Sequence, residues 1–439
     1  MRRKTVTTVS VMALWFALPG PLSPVQAAVV CDGRVVTIQG VAGMPTIGTP
    51  GDDVIVGSEQ ADVIDGAAGN DTICGLEGGD TIRGGPGDDR LFGGLDEAYE
   101  VDDGYFGDLV VPGPGDDHVD LGDDPSSEDI WIAESPVWYD RVSFRDAARR
   151  VDVNLFKGAA AGEGTDTIAV PQFSAGIIGS AHDDTLIGSS TRDLIQAGGG
   201  DDRVMGRDGD DRLEPDVVGP TVVRTFEVQN LAPGDDVVRG GDGQDFVKSE
   251  IGTDRIHGDG ERDVLRSAVR GSSAWGGAGK DLLVGRPGVH LYGGRGSDNL
   301  TSALRPQGSY QIDGGPGPDE LRLRAPRKKF AGRLDWLIDV PGQRILVDGR
   351  RLLSYRDVTN LVVLGTRGHA KFIGGPERDS FWATGLRIHA YGGGGRDSLT
   401  GGLLDDLLDG GPGHDTLSGS AGRDRCLHGE LLDSCEVRR

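Results

Sequence analysis

The sequence predicts an all-β protein, a solenoid in several repeat blocks with non-repetitive β insertions between them. Three observations predict it. Asp397, Asp406, Asp415 and Asp424 recur every nine residues, Gly-Gly pairs open their units at Gly392, Gly401 and Gly410, and Leu399, Leu408 and Leu417 each stand two residues after an aspartate. A nine-residue period suits neither an amphipathic helix nor an alternating strand. It suits a short strand plus a tight glycine turn, stacked repeatedly on itself.

Taken in order, the chain opens with Arg2, Arg3 and Lys4, an apolar stretch around Val11–Leu18, and Val25-Gln26-Ala27 as a cleavage site before Ala28. These are the features of a secretory signal peptide over 1–27. Pro19, Pro21 and Pro24 cut the apolar run short of a membrane span. Outside the cell, an even cysteine count suggests disulfides, and Cys31, Cys74, Cys426 and Cys435 allow three connectivities. Their grouping at the two extremities favours Cys31–Cys74 and Cys426–Cys435, each pinning one end of a stack.

Residues 28–122 read as a cap followed by a first roll, in which Asp53, Asp62, Asp71, Asp80 and Asp89 are spaced by nine and Asp117 adds one further turn. Ile55, Ile64, Ile73, Ile82 and Leu91 follow in phase. Residues 123–182 form a non-repetitive connecting segment, with strand-like runs at Arg141–Phe144 and Val151–Leu155 and with Trp131 and Trp138 as its expected core. The central blocks span 183–322, with a break at 214–233. They carry Asp184, Asp193, Asp202 and Asp211, then Asp236, Asp245, Asp254 and Asp263, then Asp281 eighteen residues on, and Asp298 and Asp319 at altered spacing. Residues 323–372 are a locally basic, β-rich insertion containing Arg327, Lys328, Lys329, Arg333, Arg350 and Arg351, whose charges offset the acidic rolls beside them or mark a lid, an added sheet or a binding surface. Residues 373–439 resume the roll at Asp379 and finish in the cysteine-bearing cap.

The unit is Gly-Gly-x-Gly-x-Asp-x-U-x, with U a large aliphatic residue. Its glycines permit crowded turn conformations and leave carbonyl oxygens unobstructed, while the aspartate adds a carboxylate. These are the hard oxygen ligands that calcium prefers, six to eight per ion. One unit cannot supply them all, whereas two units eighteen residues apart can enclose an ion between successive coils. All of the aspartates named above are therefore candidate ligands for multiple calcium ions. Two degraded copies stand out: His290 falls where an aspartate is expected, and Glu377 replaces the last glycine before Asp379.

These repeats resemble those of the secreted RTX, or haemolysin-type calcium-binding repeat, proteins. The resemblance implies a parallel β-roll with calcium in its turns. It implies as ligands the carboxylates of Asp71, Asp89, Asp202, Asp245, Asp281, Asp397 and Asp415 with nearby glycine carbonyls. The ending Cys426-Leu427-His428-Gly429-Glu430 is similar to the cysteine-capped termini of actinobacterial secreted members.

Composition limits the functional classes. With 70 acidic against 45 basic residues the net charge is −25, a poor match for nucleic acid or an anionic surface and a good one for divalent cations. RTX repeats often accompany an enzyme, but none of the eight histidines is followed by glutamate, so a His-Glu-x-x-His zinc site is lacking, and no Gly-x-Ser-x-Gly pentapeptide occurs. The expected function is that of a secreted calcium-loaded protein that folds on calcium, with a structural or adhesive role and a protein, cell-surface or polysaccharide partner. The alternative is an extracellular lyase, epimerase or hydrolase working on the solenoid surface.

Overall fold

A computed structural model of the protein describes residues 28–95, 107–122, 140–172, 174–216, 234–303, 310–324, 334–364 and 368–438. The segment read as a signal peptide, both tryptophans of the connecting segment and four of the basic residues, Arg327, Lys328, Lys329 and Arg333, lie outside them.

Successive nine-residue units alternate between two parallel ladders, so strands eighteen residues apart pair and neighbouring units face each other across the core. On the first ladder Val54–Val56 pairs with Thr72–Glu77, which pairs with Arg90–Leu95 and then His118–Asp120. On the second, Val63–Asp65 pairs with Thr81–Arg83, then Leu109–Val111, then Arg141–Ser143. The repeat blocks form one stack, because Arg203–Asp208 pairs with Val237–Asp242 and Arg212–Asp216 pairs with Phe246–Ser249 across the break. The ladders are open, beginning at Ile38–Gln39 and Thr46–Ile47 and ending at Val437–Arg438 and Leu431–Asp433.

Each short strand follows the aspartate, and alternation along it turns the U residue inward. Ile55, Ile64, Ile73, Ile82, Leu91, Leu186, Val238, Ile256, Leu283, Leu399 and Leu417 are all fully buried. Burying such a side chain is worth about 1.5–3 kcal/mol, too little to hold a three-residue strand alone. Stability must come from stacking many coils.

The described parts of the non-repetitive stretches join both ladders: Arg141–Ser143, Ser174–Ile178 and Asn360–Leu364 continue the second, and two meanders are inserted in the first. Asp152–Asn154, Ala159–Ala161 and Thr165–Ala169 make an antiparallel meander whose last strand pairs back onto His118–Asp120 and whose first pairs forward onto Thr185–Ile187. Leu334–Asp339, Arg344–Val347 and Arg350–Arg356 repeat this topology between Tyr310–Asp313 and Gly368–Ile373. Within the second meander Arg344 pairs with Asp339 at 2.8 Å, while Arg350 and Arg351 are exposed.

Both ends are closed covalently. The hairpin of Val30–Cys31 and Arg34–Val35 is joined to the first ladder by the Cys31–Cys74 disulfide. Cys426, fully buried at a U position, bonds Cys435 at the other end.

Candidate metal centres

The aspartates form two columns at the turns, one leading into each ladder. The first holds Asp53, Asp71, Asp89 and Asp117, then Asp184, Asp202, Asp236 and Asp254, then Asp406 and Asp424. The second holds Asp62 and Asp80, then Asp193, Asp211, Asp245, Asp263, Asp281, Asp298 and Asp319, then Asp379, Asp397 and Asp415. Within each run the backbone N–H of one aspartate donates to Oδ1 of the next at 2.8 to 3.0 Å. One carboxylate oxygen thus replaces a ladder carbonyl at the point where the chain turns.

The fate of the other oxygen divides the turns into two kinds. In closed turns it is satisfied from four residues upstream: Thr49, Ser58, Ser180 and Ser189 donate N–H to Oδ2 of Asp53, Asp62, Asp184 and Asp193 at 2.5 to 2.6 Å. Gly375 and Gly402 do the same for Asp379 and Asp406, at 2.6 and 2.7 Å. Ser249, five residues upstream, closes the turn of Asp254 with its hydroxyl. In open turns Oδ2 is buried without a hydrogen-bond partner, as in Asp71, Asp89, Asp117, Asp211, Asp245, Asp263, Asp281, Asp298, Asp319, Asp397, Asp415 and Asp424.

The backbone explains the division. Four residues before each of these open aspartates φ is positive, for instance +104° at Gly85, +125° at Gly241 and +102° at Gly393, and the N–H makes no bond to the carboxylate. Ala67, Arg207, Asp259 and Ser420 hold the same position at +77°, +91°, +77° and +69° without being glycine. A left-handed conformation costs an L-residue about 1–2 kcal/mol, so the open form is kept against local preference.

Open turns are also electrostatically unbalanced. Burial, and after it the neighbouring carboxylates, push Asp89 up to about 8, Asp211 to about 9 and Asp263 to about 8. Closed turns are relieved only in part: Asp53 is lowered, chiefly by the Thr49 N–H, whereas burial outweighs the Ser180 and Ser189 bonds, raising Asp184 and pushing Asp193 up to about 7. A buried carboxylate oxygen lacking a donor needs a cation or a proton.

The surroundings suit a hard cation. A Cβ built on Gly66 would lie 2.5 Å from Asp71 Oδ2 and 2.6 Å from the Gly84 carbonyl oxygen, and one on Gly293 would lie 2.5 Å from both Asp298 Oδ2 and the Gly314 carbonyl oxygen. Carboxylate and carbonyl oxygens of successive coils therefore converge above a glycine that admits no side chain. Among the described residues no three His, Cys, Asp or Glu side chains gather at one point. Each turn contributes one carboxylate, and backbone carbonyls would complete the shell.

The glycine hexapeptide misses several members of the columns. Asp108, Asp140 and Asp166 accept the N–H groups of Asp80, Asp108 and Asp117 at 2.7, 2.8 and 3.1 Å. Each precedes an aliphatic residue by two positions (Val110, Val142, Ile168), so the Asp-x-U signal alone would have found them. Ser272 accepts from Asp254 at 3.1 Å in a turn that lacks an aspartate. Glu430 and Glu436 take the final places by accepting from Asp415 and Asp424. The reading of His290 is corrected. His290 pairs with Ser273, one residue past Ser272, so buried Val289 holds the aspartate position. The coil from Asp281 to Asp298 is one residue short of eighteen, which shifts the count.

Comparison with known proteins agrees with this geometry. The family of the RTX calcium-binding nonapeptide repeat (4 copies) matches residues 47–82, 75–97, 178–213, 232–265 and 391–426. No individual curated protein matches the chain. Among the described residues no helix is long and apolar enough to cross a membrane. With two parallel ladders, aspartate columns at the turns and family matches along the stack, the chain carries RTX calcium-binding nonapeptide repeats arranged as a β-roll.

Proposed function

We propose that this is a secreted protein whose open turns take up calcium ions and whose β-roll becomes ordered as they bind, serving a non-enzymatic structural or adhesive role outside the cell. The supporting observation is the set of buried Oδ2 atoms without a donor, each in a turn whose backbone is held at positive φ. The ligands proposed are the open-turn aspartates with the carbonyl oxygens of adjoining glycines. Without a cation these carboxylates repel one another along each column. With it, each ion ties two coils together, and binding free energy becomes folding free energy.

Compartment fits this coupling. Calcium is scarce in the cytosol and plentiful outside, so a chain led out by the sequence at 1–27 would cross unfolded and order on arrival. Titrating residues 28–439 with calcium, while recording circular dichroism and counting bound ions, tests the reading. A cooperative gain of β-structure with many ions bound is expected. A β signal already complete in chelator and unchanged by calcium would overturn it.

A further inference from the structure

Four closed turns share a feature that the rest lack: a hydroxyl residue that caps the aspartate twice. Thr49 gives Asp53 Oδ2 its N–H at 2.6 Å and its Oγ1 at 2.8 Å, and Ser58 does the same for Asp62 at 2.5 and 2.8 Å, although Oδ1 of Asp62 stays buried without a partner. Ser180 gives its N–H to Oδ2 of Asp184 at 2.6 Å and its Oγ to Oδ1 at 2.9 Å. Ser189 donates to Oδ2 and Oδ1 of Asp193 at 2.5 and 3.0 Å. Hydrogen bonds to a carboxylate are charge-assisted and stabilise the ionised form without a metal. None of these hydroxyl residues has positive φ.

Their positions are as telling as their chemistry. Asp53 and Asp62 lie in the first two aspartate turns, and the strand that Asp53 leads, Val54–Val56, packs against the hairpin held by the Cys31–Cys74 disulfide. Asp184 and Asp193 lie beside the first meander, and the N–H of Val151 at the head of its opening strand donates to Asp184 Oδ1 at 2.8 Å. Around that pair the apolar contacts are not limited to one residue per unit: Val151, Val153, Leu155, Ala160, Ile168, Ala175, Ile177, Leu194 and Ile195 are all buried there. Each hydroxyl-capped pair therefore coincides with a source of stability that the plain repeats lack, a covalent link in one case and a larger core in the other.

We infer that the turns of Asp53, Asp184 and Asp193 take no calcium, and that they anchor two metal-independent seeds on which the calcium-requiring coils order. The inference rests on the calcium reading of the open turns and adds to it which turns are exempt. A coil next to a seed has one partner already in place, so its first ion binds without the full cost of fixing both coils. Thr49, Ser180 and Ser189 are positioning residues whose hydroxyls stand where the ion would otherwise be needed.

Hydrogen exchange on residues 28–439, with calcium and in chelator, tests this segment by segment. In chelator, Thr46–Gly66 and Ser174–Gly198 should keep slow exchange, while Arg255–Leu300 and Ser398–Leu427 exchange freely until calcium is added. If Thr46–Gly66 and Ser174–Gly198 exchange as fast in chelator as the others, the seeds do not exist and the inference is overturned. If no segment responds to calcium, the calcium reading fails instead, a distinguishable result. Ser189→Gly offers an independent measurement, since it removes the hydroxyl and permits positive φ. Its ion count at saturating calcium should exceed that of the wild type, and Ser189→Thr should restore the original count. An unchanged count for Ser189→Gly, or ions found at Asp193 in the wild type, would also overturn the inference.

Discussion

The backbone N–H of Asp245 donates to Oδ1 of Asp263 at 2.9 Å across one coil, while Oδ2 of each residue is buried without a hydrogen-bond partner. One carboxylate thus does two jobs, ending a backbone ladder with one oxygen and offering the other to a cation.

Asparagine at such a position separates the two jobs. In Asp263→Asn the side-chain oxygen still accepts from Asp245, and the buried anionic oxygen gives way to a neutral amide. The metal-free protein should be stabilised at pH 8, while the calcium midpoint for folding rises by roughly tenfold or more, as expected for one lost charged ligand. Thermal melts in chelator beside calcium titrations check both signs. A variant that folds at the wild-type calcium midpoint would remove Asp263 from the ligand set.

Acidity should act on the metal-free and loaded forms in opposite directions. Asp89 and Asp263 have folded-state values of about 8 and Asp211 about 9, against 3.8 for a free aspartate, with burial as the main cause. A group raised on folding favours the fold fully below its unfolded value and loses that contribution as pH rises through the folded one. Melting temperature in chelator should therefore fall between about pH 4 and pH 9. Calcium uptake displaces protons over the same window, so apparent affinity should rise with pH. A metal-free melting temperature that climbs from pH 5 to pH 8 would contradict this.

Two turn substitutions probe the positive-φ position. Gly85 has φ +104°, and a Cβ there would run into the carbonyl oxygen of Ala67 on the preceding coil. Gly85→Ala should cost about 2 kcal/mol or more. Ala67→Gly, at φ +77°, should relieve up to about 1 kcal/mol, offset in part by glycine's greater freedom in the unfolded chain. Denaturant titrations at saturating calcium would resolve the opposite signs.

Core substitutions test how far coils depend on one another. Ile256 is fully buried, stacked in register between Val238 and Ala274. Ile256→Ala should cost about 2–5 kcal/mol. Because each coil contacts its neighbours, exchange protection should fall first in the adjacent coils and least at the disulfide-closed ends. Uniform loss along the stack would indicate a single cooperative unit.

Much of this architecture is legible in the residues. The nine-residue period and the aliphatic residue two places after each aspartate are enough for alternating ladders, because only an eighteen-residue coil puts both rows inward. Asp108, Asp140 and Asp166 escape notice because their glycines are gone and only Asp-x-U remains. Val289 escapes because a single missing residue shifts the register and leaves His290 at the counted position. The meanders were visible as strands, but their order was not, since pairing the last strand backward and the first forward is a long-range choice. The state of a turn is equally hidden: Ser189 closes the turn of Asp193, whereas Ser420, at φ +69°, leaves that of Asp424 open. Identity at that position does not decide the matter, since the torsion depends on the coils above and below.

The most direct measurement is a crystal structure of residues 28–439 grown with calcium, with the ions located by anomalous scattering. Peaks beside Oδ2 of Asp71, Asp89, Asp211, Asp245, Asp263, Asp281 and Asp397, each also within reach of a backbone carbonyl oxygen of the next coil, are predicted. Water molecules at those oxygens, with no anomalous peak in the open turns, would contradict the claim that these turns are built for calcium.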